Sequence, residues 1–235
     1  AWQHIQGGAD QQHTLAHNRA AFDALRLLPQ PLADLSAAHT RQTLLGQPLE
    51  HPILLAPVAY QTLAHPEGEL ASVRAATALQ AGMVASTLSS HTLEAIAHEA
   101  QHTRSALQRR GPLWFQLYLQ HDRGFTQALV QRAEAAGYEA LVLTVDAPTS
   151  GIRDRERRAA FRLPPGIGPV NLAGLQPAPA PQLQPGQSAL FDGLLHQAPT
   201  WDDIAWLRSI TRLPVLLKGV LHPADAIQAV AAGAA

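Results

Sequence analysis

From residue 53 onward the sequence alternates short apolar runs with longer segments whose apolar residues recur at helical spacing. The runs occupy residues 53–57, 83–86, 113–118, 140–146 and 214–220, bounded by Gly and Pro. Such lengths and borders suit buried parallel strands. The intervening segments carry helix signals. Pro66 with Glu67 and Glu69 places a proline and two acids in a first turn, where the helix dipole favours them. Leu70, Val73, Thr77 and Leu79 follow at helical spacing until Gly82. Residues 125–136 repeat the plan and stop at Gly137, residues 201–207 open on Trp-Asp-Asp, and residues 223–232 end at Gly233. Strand then helix, five times over, predicts an α/β chain with a parallel sheet.

Two regions break the rhythm. Residues 1–52 hold Gly7-Gly8, a short helix around residues 15–25 and a loop-rich approach to the first strand. Residues 163–200 carry eight prolines and little periodicity. A loop of that length inside a domain is a functional lid or a mobile insertion. The lid is favoured, because the loop leaves a strand at its C-terminal end, where barrel active sites lie. The expected division is an N-terminal segment, 1–52, and a partial barrel, 53–235.

Composition narrows the function classes. With 235 residues and 46% hydrophobic content there is ample material for a core. A net charge of −1 with 17 Lys+Arg argues against nucleic acid or an anionic membrane as partner. No apolar run approaches the roughly 20 residues of a membrane helix. The absence of cysteine removes disulfides, thiolate metal sites and cysteine nucleophiles, and fits a cytoplasmic setting. The chain begins at Ala1, has its only methionine at Met83 and stops just after a helical pattern, so it reads as a piece of a longer protein.

Inward-facing side chains alternate along a barrel strand, and a packed interior wants them apolar. Here they turn polar near the strand ends. Ser86 ends the second run, Gln116 and Tyr118 share a face of the third, Thr144 and Asp146 share a face of the fourth, and Lys218 closes the fifth. A buried lysine needs an anionic or strongly polar partner. Polar groups converging at one rim point to a ligand rich in hydrogen-bond acceptors, although any one of them alone reads as structural and Asp146 could merely tie down a loop. Arg153, in Thr-Ser-Gly-Ile-Arg-Asp, could hold a carboxylate bidentately or be a solvated charge in a basic stretch.

These residues resemble a known family, the FMN-dependent 2-hydroxy-acid oxidases and dehydrogenases, which includes glycolate oxidase, lactate oxidase and mandelate dehydrogenase. The resemblance runs through Gly-Gly-Ala-Asp and Thr-Leu-Ala-His-Asn-Arg (within 7–19), Leu-Ala-Pro-Val-Ala (55–59), His-Pro-Glu-Gly-Glu (65–69) and Ser-Thr-Leu-Ser-Ser (86–90). It continues in Phe-Gln-Leu-Tyr (115–118), Leu-Thr-Val-Asp-Ala-Pro (143–148), Trp-Asp-Asp-Ile-Ala-Trp-Leu (201–207) and Leu-Lys-Gly-Val (217–220). It implies a TIM (β/α)8 barrel, of which about five βα units are present, and FMN as cofactor. It implies that Pro57, Val58 and Ala59 run along the flavin, that Ser86, Gln116 and Thr144 hydrogen-bond it, and that Lys218 lies beside its N1–C2=O edge. Tyr118 and Arg153 match the substrate-side tyrosine and arginine. The implied reaction converts a 2-hydroxy acid to a 2-oxo acid, with oxygen or another acceptor reoxidising the flavin, in a protein that forms a homotetramer when intact.

Two departures accompany the resemblance. His4 stands where the family usually has a substrate-contacting tyrosine; it reads either as a carboxylate contact or as a near-surface histidine. The family's histidine base and second arginine, in a Ser-Asn-His-Gly-Gly-Arg type motif, and its phosphate-cradling loops have no match in the chain. The chain as it stands is therefore expected to be inactive, and a half-barrel scaffold without catalysis is the alternative reading. A more remote one is zinc peptidase chemistry, because residues 98–102 spell His-Glu-Ala-Gln-His, with His98 and His102 one turn apart and Glu99 as base. Against it, the motif falls on a crossover helix and lacks a third ligand at the usual downstream spacing, so no metal is expected.

Overall fold

The protein is described by a computed structural model covering residues 1–107, 111–149, 151–180, 182–195 and 198–235. It divides into two compact units, Arg41–Thr149 with Gly166–Ala235, and Ala1–Thr40 with Ser150–Pro165.

The larger unit opens with an antiparallel hairpin, β1 (Gln42–Leu44) and β2 (Gln47–Leu49), turned at Leu45 and Gly46, both at positive φ. Paired positive φ values match the right-handed twist of the flanking strands. Five parallel strands follow: β3 (Leu54–Leu55), β4 (Gly82–Ser86), β5 (Leu113–Leu117), β6 (Leu141–Thr144) and β7 (Val215–Lys218). They pair strictly in sequence order, β3-β4-β5-β6-β7. A doubly wound sheet reverses its order at a switch point, whereas a barrel wall does not. These are five consecutive βα units of the (β/α) barrel architecture.

The helices of this unit start and stop on local chemistry. Helices α3 (Gly68–Ala78), α4 (Leu93–Leu107), α5 (Arg123–Ala136), α7 (Trp201–Ser209) and α8 (Pro223–Ala231) follow the strands in turn. Asp122 accepts from Phe125 N at 3.0 Å to open α5, and Gly137, at φ +88°, closes it. Thr200 and Asp203 form a capping box on α7, and Pro223 sits in the first turn of α8. The start expected at Pro66 is displaced to Gly68, whose φ of +43° and tight packing on Thr62 leave no room for a side chain. The first apolar run, 53–57, yields only a two-residue strand, because Pro57 has no N–H to extend the ladder.

Strand alternation divides the core. Met83, Ala85, Leu113, Phe115, Leu117, Leu141, Leu143 and Val215 pack against Val73, Leu93, Ile96, Leu129, Val130, Ile204 and Leu207 of the helices. The opposite face carries a smaller cluster of Val84, Trp114, Ala140 and Val142, with Leu45, Leu54 and Leu216 against it. Leu45 explains why the hairpin groups with the sheet. The compact units divide after residue 40, and 150–165 group with the first forty residues.

The proline-rich segment 163–200 is not uniformly loose. Asn171, in a 3-10 turn at Val170–Leu172, is buried; its Nδ2 donates to Ser89 Oγ (2.8 Å) and the His91 carbonyl (3.2 Å), and its Oδ1 accepts from Leu93 N (2.9 Å). Further on, Ser188 caps a π-helical turn at Ala189–Leu194. Residues 181, 196 and 197 of the expected lid lie outside the described residues.

The smaller unit holds α1 (Trp2–Gln6), α2 (His13–Ala24) and α6 (Asp154–Arg158). Its two sequence segments are joined by Asp10 N donating to the Ile152 carbonyl at 2.7 Å. No helix among the described residues is long and apolar enough to cross a membrane.

Candidate active site

The face of the sheet opposite the helices grades from apolar to polar along four of its five strands, β4 to β7. Val84 gives way to Ser86, Trp114 to Gln116, Val142 to Thr144 and Leu216 to Lys218. Ser86, Gln116 and Thr144 are brought together in one buried network. Ser86 Oγ donates to Gln116 Oε1 at 3.2 Å, and Gln116 Nε2 donates to Thr144 Oγ1 at 2.9 Å. The Thr87 backbone N–H also donates to Gln116 Oε1, at 3.3 Å, which fixes the orientation of the amide. Thr87 Oγ1 donates to the Gln116 carbonyl at 2.6 Å and accepts from Tyr118 N at 3.2 Å, locking the end of β5 to the end of β4.

Among the described residues, two donors of this network remain unspent. Thr144 Oγ1 accepts from Gln116, so its own proton is available, as is the second amide proton of Gln116. Lys218, across the register from Thr144, adds a cation. Its Nζ lies 3.2 and 3.4 Å from the two oxygens of Asp146, the compensating anion such a position demands. Both side chains are about two-fifths exposed (40% and 41%), so the pair contributes little to stability and leaves the lysine accessible. Gly219, at φ +109°, lets β7 pass so close beneath Asp146 that a β-carbon there would overlap it.

The loop after β3 carries Pro57, Val58 and Ala59, with Val58 more than half exposed. It ends in Tyr60, a residue that no sequence pattern singles out. Tyr60 adopts a left-handed φ of +52°, strained for a residue with a side chain, and its N–H donates to the Leu88 carbonyl at 3.1 Å. Burial, and then the nearby Tyr118 phenol, push the Tyr60 hydroxyl above its ordinary range. The two tyrosines, from the ends of β3 and β5, thus share one environment. The only sequence signal for Tyr60 is its place directly after the Pro-Val-Ala stretch.

The smaller unit brings His4 and Arg153 together, 149 residues apart in sequence. Arg153 Nη2 donates to the carbonyls of His4 (2.6 Å) and Gly7 (3.0 Å) and its Nε pairs with Glu156. Arg153 also lines an open hollow of about 880 Å³ with Glu156, Arg157, Phe161 and Arg162. Two of the three guanidinium nitrogens are thus spent within the protein, which among the described residues leaves Nη1 for a ligand.

His98 and His102 sit on α4, but Glu99 is ion-paired with Arg74 Nε at 2.8 Å. No group of three His, Cys, Asp or Glu among the described residues is placed to hold a metal.

A flavin fits the sheet rim on donor chemistry. Its ring edge presents carbonyl and ring-nitrogen acceptors, and the rim offers an amide N–H, a hydroxyl and an ammonium without competing acceptors among those unspent groups. Comparison with known proteins agrees. The family described as FMN-dependent dehydrogenase matches residues 1–235. An L-lactate oxidase from Nostoc sp. is 47% identical over the whole of this chain, which spans 63% of that protein. A glycolate oxidase from Spinacia oleracea is 38% identical over 97% of this chain and 60% of its own length. A solved structure of mandelate oxidase with (S)-2-phenylpropionate superposes with a TM-score of 0.82 at 37% identity, covering 99% of this chain and 60% of that one. The chain therefore spans about three-fifths of the relatives it matches, and it belongs to the FMN-dependent dehydrogenase family.

Proposed function

We propose that the protein bearing this chain oxidises a small or aryl 2-hydroxy acid to the 2-oxo acid. The observation that carries the reading is the graded face of the sheet, where four successive strands end in Ser86, Gln116, Thr144 and Lys218. When bound, FMN supplies the two-electron acceptor. Gln116 and Thr144 hold its polar ring edge through their unspent donors, with Ser86 fixing the Gln116 amide. Lys218 supports negative charge there. Pro57, Val58 and Ala59 offer backbone along the ring. On the substrate side, Arg153 meets the carboxylate through its remaining nitrogen, Nη1, with His4 and Tyr118 as further contacts. Oxygen or another acceptor completes the cycle. The cysteine-free sequence is compatible with a cytoplasmic protein, and a homotetramer is the expected assembly.

Arg153→Met in the full-length protein tests the substrate side. Losing a charge-assisted hydrogen bond to the carboxylate should raise KM for the 2-hydroxy acid by roughly one to two orders of magnitude, with the bound flavin spectrum retained. Unchanged KM and kcat would remove Arg153 from the site.

A further inference from the structure

Residues 151–162 hold five arginines and two acids, a net charge of +3 in a chain whose total is −1. Two of these arginines are paired, Arg153 with Glu156 and Arg158 with Asp154 at 3.8 Å. Among the described residues, Arg155, Arg157 and Arg162 have no acid partner. The backbone gathers two of these three beside Arg153. The Arg157 N–H donates to the Arg153 carbonyl at 3.0 Å, which sets the two side chains one helical turn apart on the same face. The chain then doubles back. The Ala160 N–H donates to the Arg157 carbonyl at 3.1 Å and the Phe161 N–H to the Glu156 carbonyl at 2.9 Å, the bond pattern of a helix closed by a left-handed residue. Ala160 fills that position at φ +46°, a conformation that glycine would adopt without strain.

The strained turn returns Phe161 and Arg162 to the hollow of about 880 Å³ that Arg153 and Arg157 line. Glu156 is the one acid among its lining residues, so with three guanidinium groups the hollow carries a charge of +2. Phe161 and Ile152 supply apolar wall between the charges, suited to a short carbon chain. The volume lies within the usual range of small-molecule sites, and lactate would fill little of it. Arg153 has one nitrogen left for the carboxylate that every 2-hydroxy acid carries. Arg157 and Arg162 are surplus to that carboxylate, and each presents a planar fork that matches a second one bidentately.

We infer that the substrate is a 2-hydroxy dicarboxylic acid, whose second carboxylate is read by Arg157 and Arg162. This rests on the reading that Arg153 meets the carboxylate next to the reacting carbon. The test compares acids of equal carbon count with the full-length flavin-loaded protein: 2-hydroxyglutarate against 2-hydroxyvalerate, and malate against 2-hydroxybutyrate. Two quantities are read, the ratio of kcat/KM within each pair and the ratio of Kd for 2-oxoglutarate and 2-oxovalerate, followed by flavin absorbance. Both ratios should favour the dicarboxylic acid by about tenfold or more, the worth of one charge-assisted pair. Both arginines are exposed, so Arg157→Gln and Arg162→Gln should fold normally, and each should shrink the ratios. The double variant should bring them to about one. Ala160→Gly, which keeps every charge and relieves the turn, should retain the preference. Ratios near one in a wild-type protein that turns over the monocarboxylic acids overturn this inference alone. A preference that survives in the double variant overturns it too, since the second carboxylate is then read elsewhere. If no 2-hydroxy acid is turned over and no 2-oxo acid perturbs the flavin, the functional reading fails and this inference with it.

Discussion

Glu69 is a carboxylate with no solvent exposure, held by three donors: Gln61 N at 3.1 Å, Ser90 N at 2.9 Å and His91 Nδ1 at 2.9 Å. Gln61 follows the loop of Pro57–Tyr60, and Ser90 and His91 end the loop that begins at Ser86. The one side chain therefore stitches together two of the loops assigned to the flavin. Replacing Glu69 with Ala leaves two backbone N–H groups without an acceptor in a buried place, while the partly exposed His91 ring still reaches water. At about 1–3 kcal/mol for each unsatisfied donor, and with a small cavity added, Glu69→Ala should cost about 3–5 kcal/mol. Glu69→Gln keeps an oxygen for both backbone donors and turns its amide toward His91, which accepts on the other tautomer; it should cost about 1–2 kcal/mol. Thermal unfolding of the flavin-free full-length protein by circular dichroism measures both. At roughly 1–2 °C per kcal/mol for a protein of that length, the alanine variant should melt about 3–10 °C below wild type and the glutamine variant clearly above the alanine one. A Glu69→Ala protein melting within about 2 °C of wild type, or a Glu69→Gln as damaged as the alanine variant, would refute the reasoning.

Three other substitutions probe the remaining contacts. Gly219→Ala puts a β-carbon into Asp146 on a backbone of φ +109°, so it should displace the Asp146–Lys218 pair and lower flavin affinity, read by flavin fluorescence on titration into the apoprotein. Tyr138→Phe removes the buried hydroxyl that donates to the Leu93 carbonyl at 2.9 Å and should cost about 1 kcal/mol in denaturant unfolding, with activity kept. Thr211, then the Arg212 N–H, hold the Glu134 carboxyl below its ordinary range, so its stabilising share is complete above the unfolded-state value and is lost as pH falls through the folded-state one. In Glu134→Gln the acid-side decline in melting temperature should be shallower than in wild type.

The fold is legible in the sequence because its signal is periodic. Five apolar runs become five parallel strands in sequence order, and Gly137, Pro223 and the Asp202-Asp203 pair mark helix ends close to where they lie. The polarity change along the strands is legible for the same reason, since alternation assigns each residue a face from its position in the run alone. Other features lie beyond that logic. The β1–β2 hairpin is short and its strands are largely exposed, so no apolar run announces it. Glu69 reads as a first-turn acid favoured by the helix dipole; that it is a buried acceptor for two other loops is a tertiary fact. Asn171 sits in a segment whose composition is dominated by prolines, and a single buried amide leaves no mark on composition. Tyr60 takes its place from a backbone conformation that its residue type argues against.

The cations assigned to the flavin and to the reacting acid's own carboxylate are each held by a carboxylate from the same unit, Lys218 by Asp146 and Arg153 by Glu156. The physical effect is the same in both. An uncompensated cation at a partly buried rim would cost free energy in the absence of ligand, and the neighbouring acid removes that cost. The acid also competes with the ligand, so affinity is the difference between two pairings rather than the strength of one. For Lys218 the competing pair is two-fifths exposed and weak, which lets a polar ring edge share the ammonium without displacing Asp146. Glu156 is only one-fifth exposed and is shared with His4, so the second pair is the tighter one. There an incoming anion has to displace, or share Arg153 with, a carboxylate that two side chains already hold.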